Sequence, residues 1–180
     1  RVGLEVAYEA MQQAFSGDMI LYGITGIFVA QCSHDFALTS KALVGPYSTT
    51  GMASSITANR ISHVFELQGP SVTIDTACSS SLVAIDSACK AAYNHDCKMA
   101  IVMGVNLNLT IQNYVTLSAA GMLSNRGRCA TFSDQADGFA RGEGCGAIVL
   151  KLLSKAVEDG DGMWAVLHGS AVNQDGRTTT

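Results

Sequence analysis

PSVTIDTACSSSLVAIDSACKAAY, residues 70–93, changes its hydrophobic period in the middle. Val72 and Ile74 alternate with Ser71, Thr73 and Asp75, the period-2 pattern of a strand. From Leu82 the pattern turns helical, with Leu82, Ile85, Ala88/Cys89 and Ala92 predicted on one face. Between the two lies Thr76-Ala77-Cys78, followed by Ser79, Ser80 and Ser81. The three serines suit a helix N-terminus, where short hydroxyls accept from otherwise unpaired backbone N–H groups. Cys78 is therefore expected on a sharp strand-to-helix turn, its sulfur near the positive end of a helix. That position favours the thiolate, which is the nucleophilic form of cysteine. The serine hydrolase elbow follows the same logic, although the G-x-S-x-G residues are absent here. Position alone leaves a second reading open, since free cysteine also serves as a small buried hydrophobe.

Outward from this stretch the chain alternates apolar runs with helical patterns. Gln68-Gly69-Pro70 breaks the chain before the strand, and Gly51–Val64 ahead of it spaces Met52, Ile56, Arg60/Ile61 and Val64 as a helix. Gly26–Ala30 (GIFVA) and Met99–Val105 (MAIVMGV) read as strands buried on both faces. Ser71–Val105 is then one parallel strand–helix–strand unit. Val2–Phe15 is a helix with Leu4, Ala7, Met11 and Ala14/Phe15 on its apolar side, and Gln31–Ser40 is polar and turn-like. Downstream, Asn106–Ser124 is weakly helical, Asn125–Arg128 is a turn, Ala136–Gly146 is glycine-dense and Ala147–Leu153 is a strand. Ser154–Gly162 reads as a short helix, Met163–Val172 as a closing strand with alternating character, and Gly176–Thr180 as a polar loop. The abrupt, uncapped start and the polar finish are those of a domain cut from a longer one.

Composition narrows the class. The 180 residues are 48% hydrophobic and only 14% charged, as expected of an α/β protein with a real core. A net charge of −4 and the lack of a Lys/Arg run argue against nucleic acid. No apolar run approaches the roughly 20 residues of a membrane span. The six cysteines, at 32, 78, 89, 97, 129 and 145, form neither C-x-x-C nor a zinc spacing, so reduced thiols and a cytoplasmic setting are expected. Asn108-Leu109-Thr110 is a glycosylation sequon read as chance. Gly142-Glu143-Gly144-Cys145-Gly146 matches neither phosphate-loop pattern, and its glycines are better explained by backbone freedom.

DTACSSSLVAI (residues 75–85) resembles the active-site signature of the β-ketoacyl synthase (ketosynthase) domains of type I polyketide synthases and animal-type fatty acid synthases. FSDQADGFARGEGCGAIVLK (residues 132–151) resembles the family's second, glycine-rich signature. The likeness runs from the Leu4–Tyr8 helix to Gly176. It implies a layered, thiolase-like α/β fold, with residues 1–180 as its N-terminal half, a mixed sheet with packed helices, lacking the first strand and the C-terminal half. It further implies that Cys78 takes an acyl chain from the phosphopantetheine arm of an acyl carrier protein, then condenses it with malonyl-carrier protein, no cofactor being bound directly. The Cys78 N–H would be one oxyanion donor. A homodimer is implied as well, and Asp137 and Glu143 fall where the resemblance suggests structural ion pairs.

A nucleophilic thiol works with a base or proton donor. His63 and His95 read as surface residues, and His34, ahead of Asp35-Phe36 in a loop, shows no base-like partner. His168-Gly169-Ser170 is superficially similar to the family's H-G-T-G-T, but the family places that motif after the segment ending at Gly176. Neither family histidine is therefore assigned to this chain, and the fragment alone is not expected to condense. Arg60, Arg126 and Arg128 are candidates for steering an acidic carrier, against the plainer reading of solvated charges. A fatty acid synthase, a non-catalytic partner of the chain-length-factor kind and a cysteine hydrolase remain the alternatives; the last lacks C-G-[SA]-C-[WY].

Overall fold

The computed structural model describes residues 1–14, 24–39 and 45–177, so Phe15, Ser40 and residues 178–180 lie outside the described residues. In chain order the elements are α1 (Val2–Ala14), β1 (Thr25–Ala30), α2 (Asp35–Thr39), α3 (Ser48–Met52), α4 (Ser55–Val64), β2 (Ser71–Ile74), α5 (Ser80–Tyr93), β3 (Met99–Asn106), α6 (Gln112–Ala119), β4 (Gly144–Lys151) and α7 (Leu153–Asp159). They fall into two compact units, one of residues 1–32, 54–105 and 145–180, the other of residues 33–53 and 106–144.

The first unit is built on one sheet in the order β2-β1-β3-β4. β1 lies parallel to both neighbours, with Ala30 level with Ile74 on β2 and with Gly104 on β3. Every residue of β1 is buried. Because side chains alternate across a strand, Ile27 and Val29 project to one face and Phe28 and Ala30 to the other. On the first face Ile27, Val29, Ile101 and Met103 meet Ala7 and Met11 of α1 and Ala58 and Ile61 of α4. On the second, Phe28, Ala30, Ala100 and Val102 meet Ala84, Ala88 and Ala91 of α5. Helix, sheet and helix thus make three layers, and burying each Ile of the first face contributes about 1.5–3 kcal/mol.

Several expectations change. β2 and β3 are parallel strands joined by α5, as the sequence suggests, but β1 lies between them. The Gly51–Val64 helix is two, α3 and α4, because Ala53 takes an extended conformation (ψ 128°). Leu82 does not face inward but is 71% exposed. Two residues along a helix turn the side chain through about 200°, so the alanine face centred on Ala84 and Ala88 sends Leu82 to the opposite side. β4 begins at Gly144, inside the glycine-dense run, and gives way to α7 after Lys151. Met163–Val172 forms no strand among the described residues; alternation alone makes no ladder without a neighbouring edge, and Trp164 is 91% exposed.

That segment is nonetheless fastened. The Ser170 hydroxyl donates to Asp86 Oδ1 on α5 at 2.9 Å, while Lys90 Nζ pairs with Asp86 Oδ2 at 2.6 Å. Elsewhere, Lys151 pairs with Asp159 and Asp161, and Gly160 closes α7 at φ 70°. Gly69 packs so close beneath β1 that a Cβ there would lie 2.5 Å from the Thr25 carbonyl carbon and oxygen.

In the second unit, the buried Asp35 at the start of α2 gathers the chain ahead of α6. Its Oδ2 accepts from the N–H groups of Leu109 (3.0 Å) and Thr110 (3.2 Å), and its Oδ1 from Asn113 Nδ2 (2.5 Å). Leu123 and Phe139 form an isolated bridge, with Gly138 at φ 136° packed against the Leu123 backbone.

Two outcomes are expected for stability. Gly69→Ala should cost about 1–3 kcal/mol in urea unfolding, because the clash is with backbone that cannot yield. Hydrogen bonds from Lys90 and Ser170 hold the Asp86 carboxyl below its ordinary range, against the opposing effect of burial. A carboxyl lowered in the fold stabilises above its unfolded value and loses that contribution as pH falls through the folded one. The stability gap between the protein and Asp86→Asn should therefore be full near neutrality and close on acidification below about pH 4.

Candidate active site

Cys78 stands in the turn between the last residue of β2, Ile74, and the first of α5, Ser80. Five residues must reverse the chain there, and the reversal is concentrated at Ala77, whose φ is +56°. An L-residue in the left-handed region costs about 1–2 kcal/mol, so the turn persists only if its surroundings fix it. They do so through side chains. Asp75 Oδ1 accepts from the Ala77 N–H at 3.0 Å, an Asx-type turn. The Ser80 hydroxyl accepts from the Thr76 N–H at 2.9 Å and donates to the Ala77 carbonyl at 2.6 Å. Ser79 Oγ donates to the Thr76 carbonyl at 2.8 Å and lies 2.8 Å from Thr76 Oγ1.

The serines therefore work differently from the expected cap. Ser79 makes no side-chain cap to α5, and both Ser79 and Ser80 donate backwards into the turn. Ser81 has another role: a Cβ at Gly104 would lie 2.5 Å from its Oγ, so the glycine in β3 gives the first turn of α5 its room. Sequence reasoning placed the turn but missed these ties. Asp two residues before a tight N–H, and a Ser three residues after a strained carbonyl, are the signals that point to them.

All six cysteines are free. Burial pushes the Cys89, Cys97 and Cys145 thiols up, away from the reactive thiolate. Cys32, Cys78 and Cys129 are exposed. Cys129 Sγ accepts from the Ala140 N–H at 3.2 Å, which ties it into its own loop. Cys78 stands at the entrance of a 14-residue helix.

His63 and His95 are exposed, on α4 and just after α5, and His95 takes φ 62°. The His34 carbonyl accepts from Ala37 and Leu38 as α2 begins, and His168 lies exposed in the segment after α7 rather than in a strand. Asp137 does form the expected ion pair, with Arg126 at 3.5 Å; the Ser124 hydroxyl at 2.6 Å, more than the arginine, holds its carboxyl below the ordinary range. Glu143 instead accepts the Asn108 N–H at 2.6 Å. Arg126 also donates to Gln135, so its charge is engaged within its own unit, while Arg60 and Arg128 are exposed. No described helix is long and apolar enough to cross a membrane.

A strand, a strained turn carrying an exposed thiol, and a helix together define an α/β protein with a cysteine at a strand-to-helix elbow. The family model for the β-ketoacyl synthase N-terminal domain matches residues 1–156, and the chain belongs to that family. It is 46% identical over 182 residues to a phenolphthiocerol/phthiocerol polyketide synthase polypeptide of Mycobacterium tuberculosis, covering 99% of this chain and 10% of that protein. It is also 46% identical to the highly reducing polyketide synthase ausV of Aspergillus calidoustus, covering 99% of this chain and 7% of that protein. Among solved structures, the ketosynthase from module 6 of the bacillaene synthase of Bacillus subtilis matches with a TM-score of 0.90 at 37% identity, over 100% of this chain and 31% of that one. The oxazolomycin ketosynthase domain OzmH KS7 of Streptomyces albus gives 0.91 at 33% identity, over 100% of this chain and 32% of that one. The layered, thiolase-like fold implied by the signatures is thus the fold found. The chain spans about a tenth or less of these two polyketide synthases and under a third of these ketosynthases.

Iodoacetamide at neutral pH should modify Cys32, Cys78 and Cys129 ahead of Cys89, Cys97 and Cys145 in the folded protein. Peptide mapping at short times reads the order directly.

Proposed function

We propose that this chain is the nucleophile-bearing N-terminal half of a polyketide synthase condensing domain, with Cys78 as the residue that is acylated. The observation that carries the reading is the exposed Cys78 thiol held at a strand-to-helix elbow within a chain of this family. In the first step Cys78 Sγ attacks the carbonyl of an acyl thioester on the phosphopantetheine arm of a carrier protein. A new carbon–sulfur bond forms, the old one breaks, and the arm leaves as a thiol. In the second step a malonyl thioester loses carbon dioxide, and the carbanion so released attacks the acyl carbon, freeing Cys78. The Cys78 backbone N–H serves as one donor to the oxyanion.

Neither step is assigned to a histidine of this chain; the proton donors of the condensation come from the rest of the domain, and so does the partner half of the fold. The carrier and a second copy of the domain are the partners proposed. The curated relatives named above are polyketide synthases, which is the ground for preferring that reading to a fatty acid synthase.

Incubating the full-length protein with an acyl thioester and mapping adducts by mass spectrometry tests the first step. The acyl mass is expected on Cys78 alone of the six cysteines, and Cys78→Ala should abolish it. Equal labelling of the exposed thiols, or acylation that survives Cys78→Ala, would overturn the proposal.

A further inference from the structure

We infer that Ser80 is a positioning residue for Cys78, acting through the turn rather than on the substrate; this rests on the reading of Cys78 as the acylated nucleophile. Ser80 is a polar side chain at the head of α5 with only 4% of its surface exposed. A buried hydroxyl at a helix start ordinarily caps a helix N–H. This one spends both of its hydrogen-bonding capacities on the two residues before Cys78. It accepts the Thr76 N–H at 2.9 Å and donates to the Ala77 carbonyl at 2.6 Å. The Ser80 backbone N–H reaches the same carbonyl at 3.1 Å, so the Ala77 carbonyl is gripped twice from one residue.

The consequence is local and specific. Ala77 holds φ +56°, a conformation it leaves readily unless its neighbours are fixed. Ser80 fixes the peptide that follows it, Ala77–Cys78, and the Asp75–Thr76 peptide one step before the Ala77 N–H, and Cys78 is the next residue along. Asp75 and Ser79 also tie the turn, but from exposed positions where water competes. Ser80 alone of the three does so from within the packed layer, continuous with Ala84 and Ala88 on the buried side of α5. Its loss strips a partner from the Thr76 N–H and weakens the grip on the Ala77 carbonyl, letting the turn relax and carrying the sulfur out of the presented geometry.

The test compares Ser80→Ala, Ser80→Thr and Ala7→Gly in the full-length protein. Ala7→Gly loosens α1 on the other face of the sheet without touching the turn, so it reports a purely structural effect. Two quantities are read: amide hydrogen exchange at Thr76, and the rate of Cys78 acylation by an acyl thioester. Ser80→Ala should speed Thr76 exchange and slow acylation about tenfold, through loss of the hydrogen bonds that hold the turn. Ser80→Thr keeps the hydroxyl and should restore both, while Ala7→Gly should lower the unfolding temperature and leave both near their starting values. If acylation in Ser80→Ala matches the unaltered protein, or falls no further than in Ala7→Gly, the inference is wrong. If the unaltered protein takes no acyl group on Cys78 although Thr76 exchange responds to Ser80→Ala alone, the turn is held as inferred and the nucleophile reading falls instead.

Discussion

A single alanine held in the left-handed region is the constraint on which the site depends. Ala77 reverses the chain at φ +56° between the end of β2 and the start of α5, and nothing in its own covalent structure favours that state. The conformation survives because both flanks are immobile. On one side β2 is registered residue by residue against β1, whose side chains are buried throughout. On the other, α5 is pressed onto the sheet through Ala84, Ala88 and Ala91. Side-chain oxygens from Asp75, Ser79 and Ser80 then close the gap between them. Strain at one residue is thereby balanced by packing distributed over two layers.

The choice of alanine in α5 belongs to the same design. A helix that presents methyl groups to a sheet approaches it closely, and close approach brings its first turn down onto the strand ends. Gly104 in β3 makes the corresponding concession, since any side chain there would strike Ser81. Large aliphatics would fill the layer equally well on hydrophobic grounds, but they would lift the helix and slacken the turn. The opposite face carries the largest fully buried side chains, Ile27, Ile61, Ile101 and Met103. One face of the sheet is built for stability and the other for placement.

This asymmetry also explains what could be read from the residues. The strands were legible because GIFVA and MAIVMGV are continuous apolar runs, and the elbow was legible because the period changes across Cys78. Leu82 was misplaced because a hydrophobicity pattern ranks leucine above alanine, whereas the packed face selects for small size. The break at Ala53 carries no glycine or proline to announce it, and the segment 163–172 alternates without a ladder to join. Most of all, the locking hydrogen bonds of Ser80 and the gathering role of Asp35 depend on which groups the fold brings together. Residue spacing does not encode those meetings; serine and aspartate near a turn have too many possible partners.

The direction of the strands bears on the role proposed for Cys78. β2, β1 and β3 run the same way, and the register that sets Ala30 level with both Ile74 and Gly104 brings their carboxyl ends to one line. In open α/β sheets that line is where ligands bind, because the loops leaving it are free to vary while the strands behind them are not. Cys78 and Cys32 both lie just past this line, on the loops after β2 and β1 respectively. Their downstream neighbours set them apart. Cys78 is succeeded by the 14-residue α5, whose first residues Ser79 and Ser80 are tied back into the turn. Cys32 leads into polar chain ahead of the five-residue α2. Of two exposed thiols at the same end of one sheet, only the one at the strained turn combines access with a fixed direction.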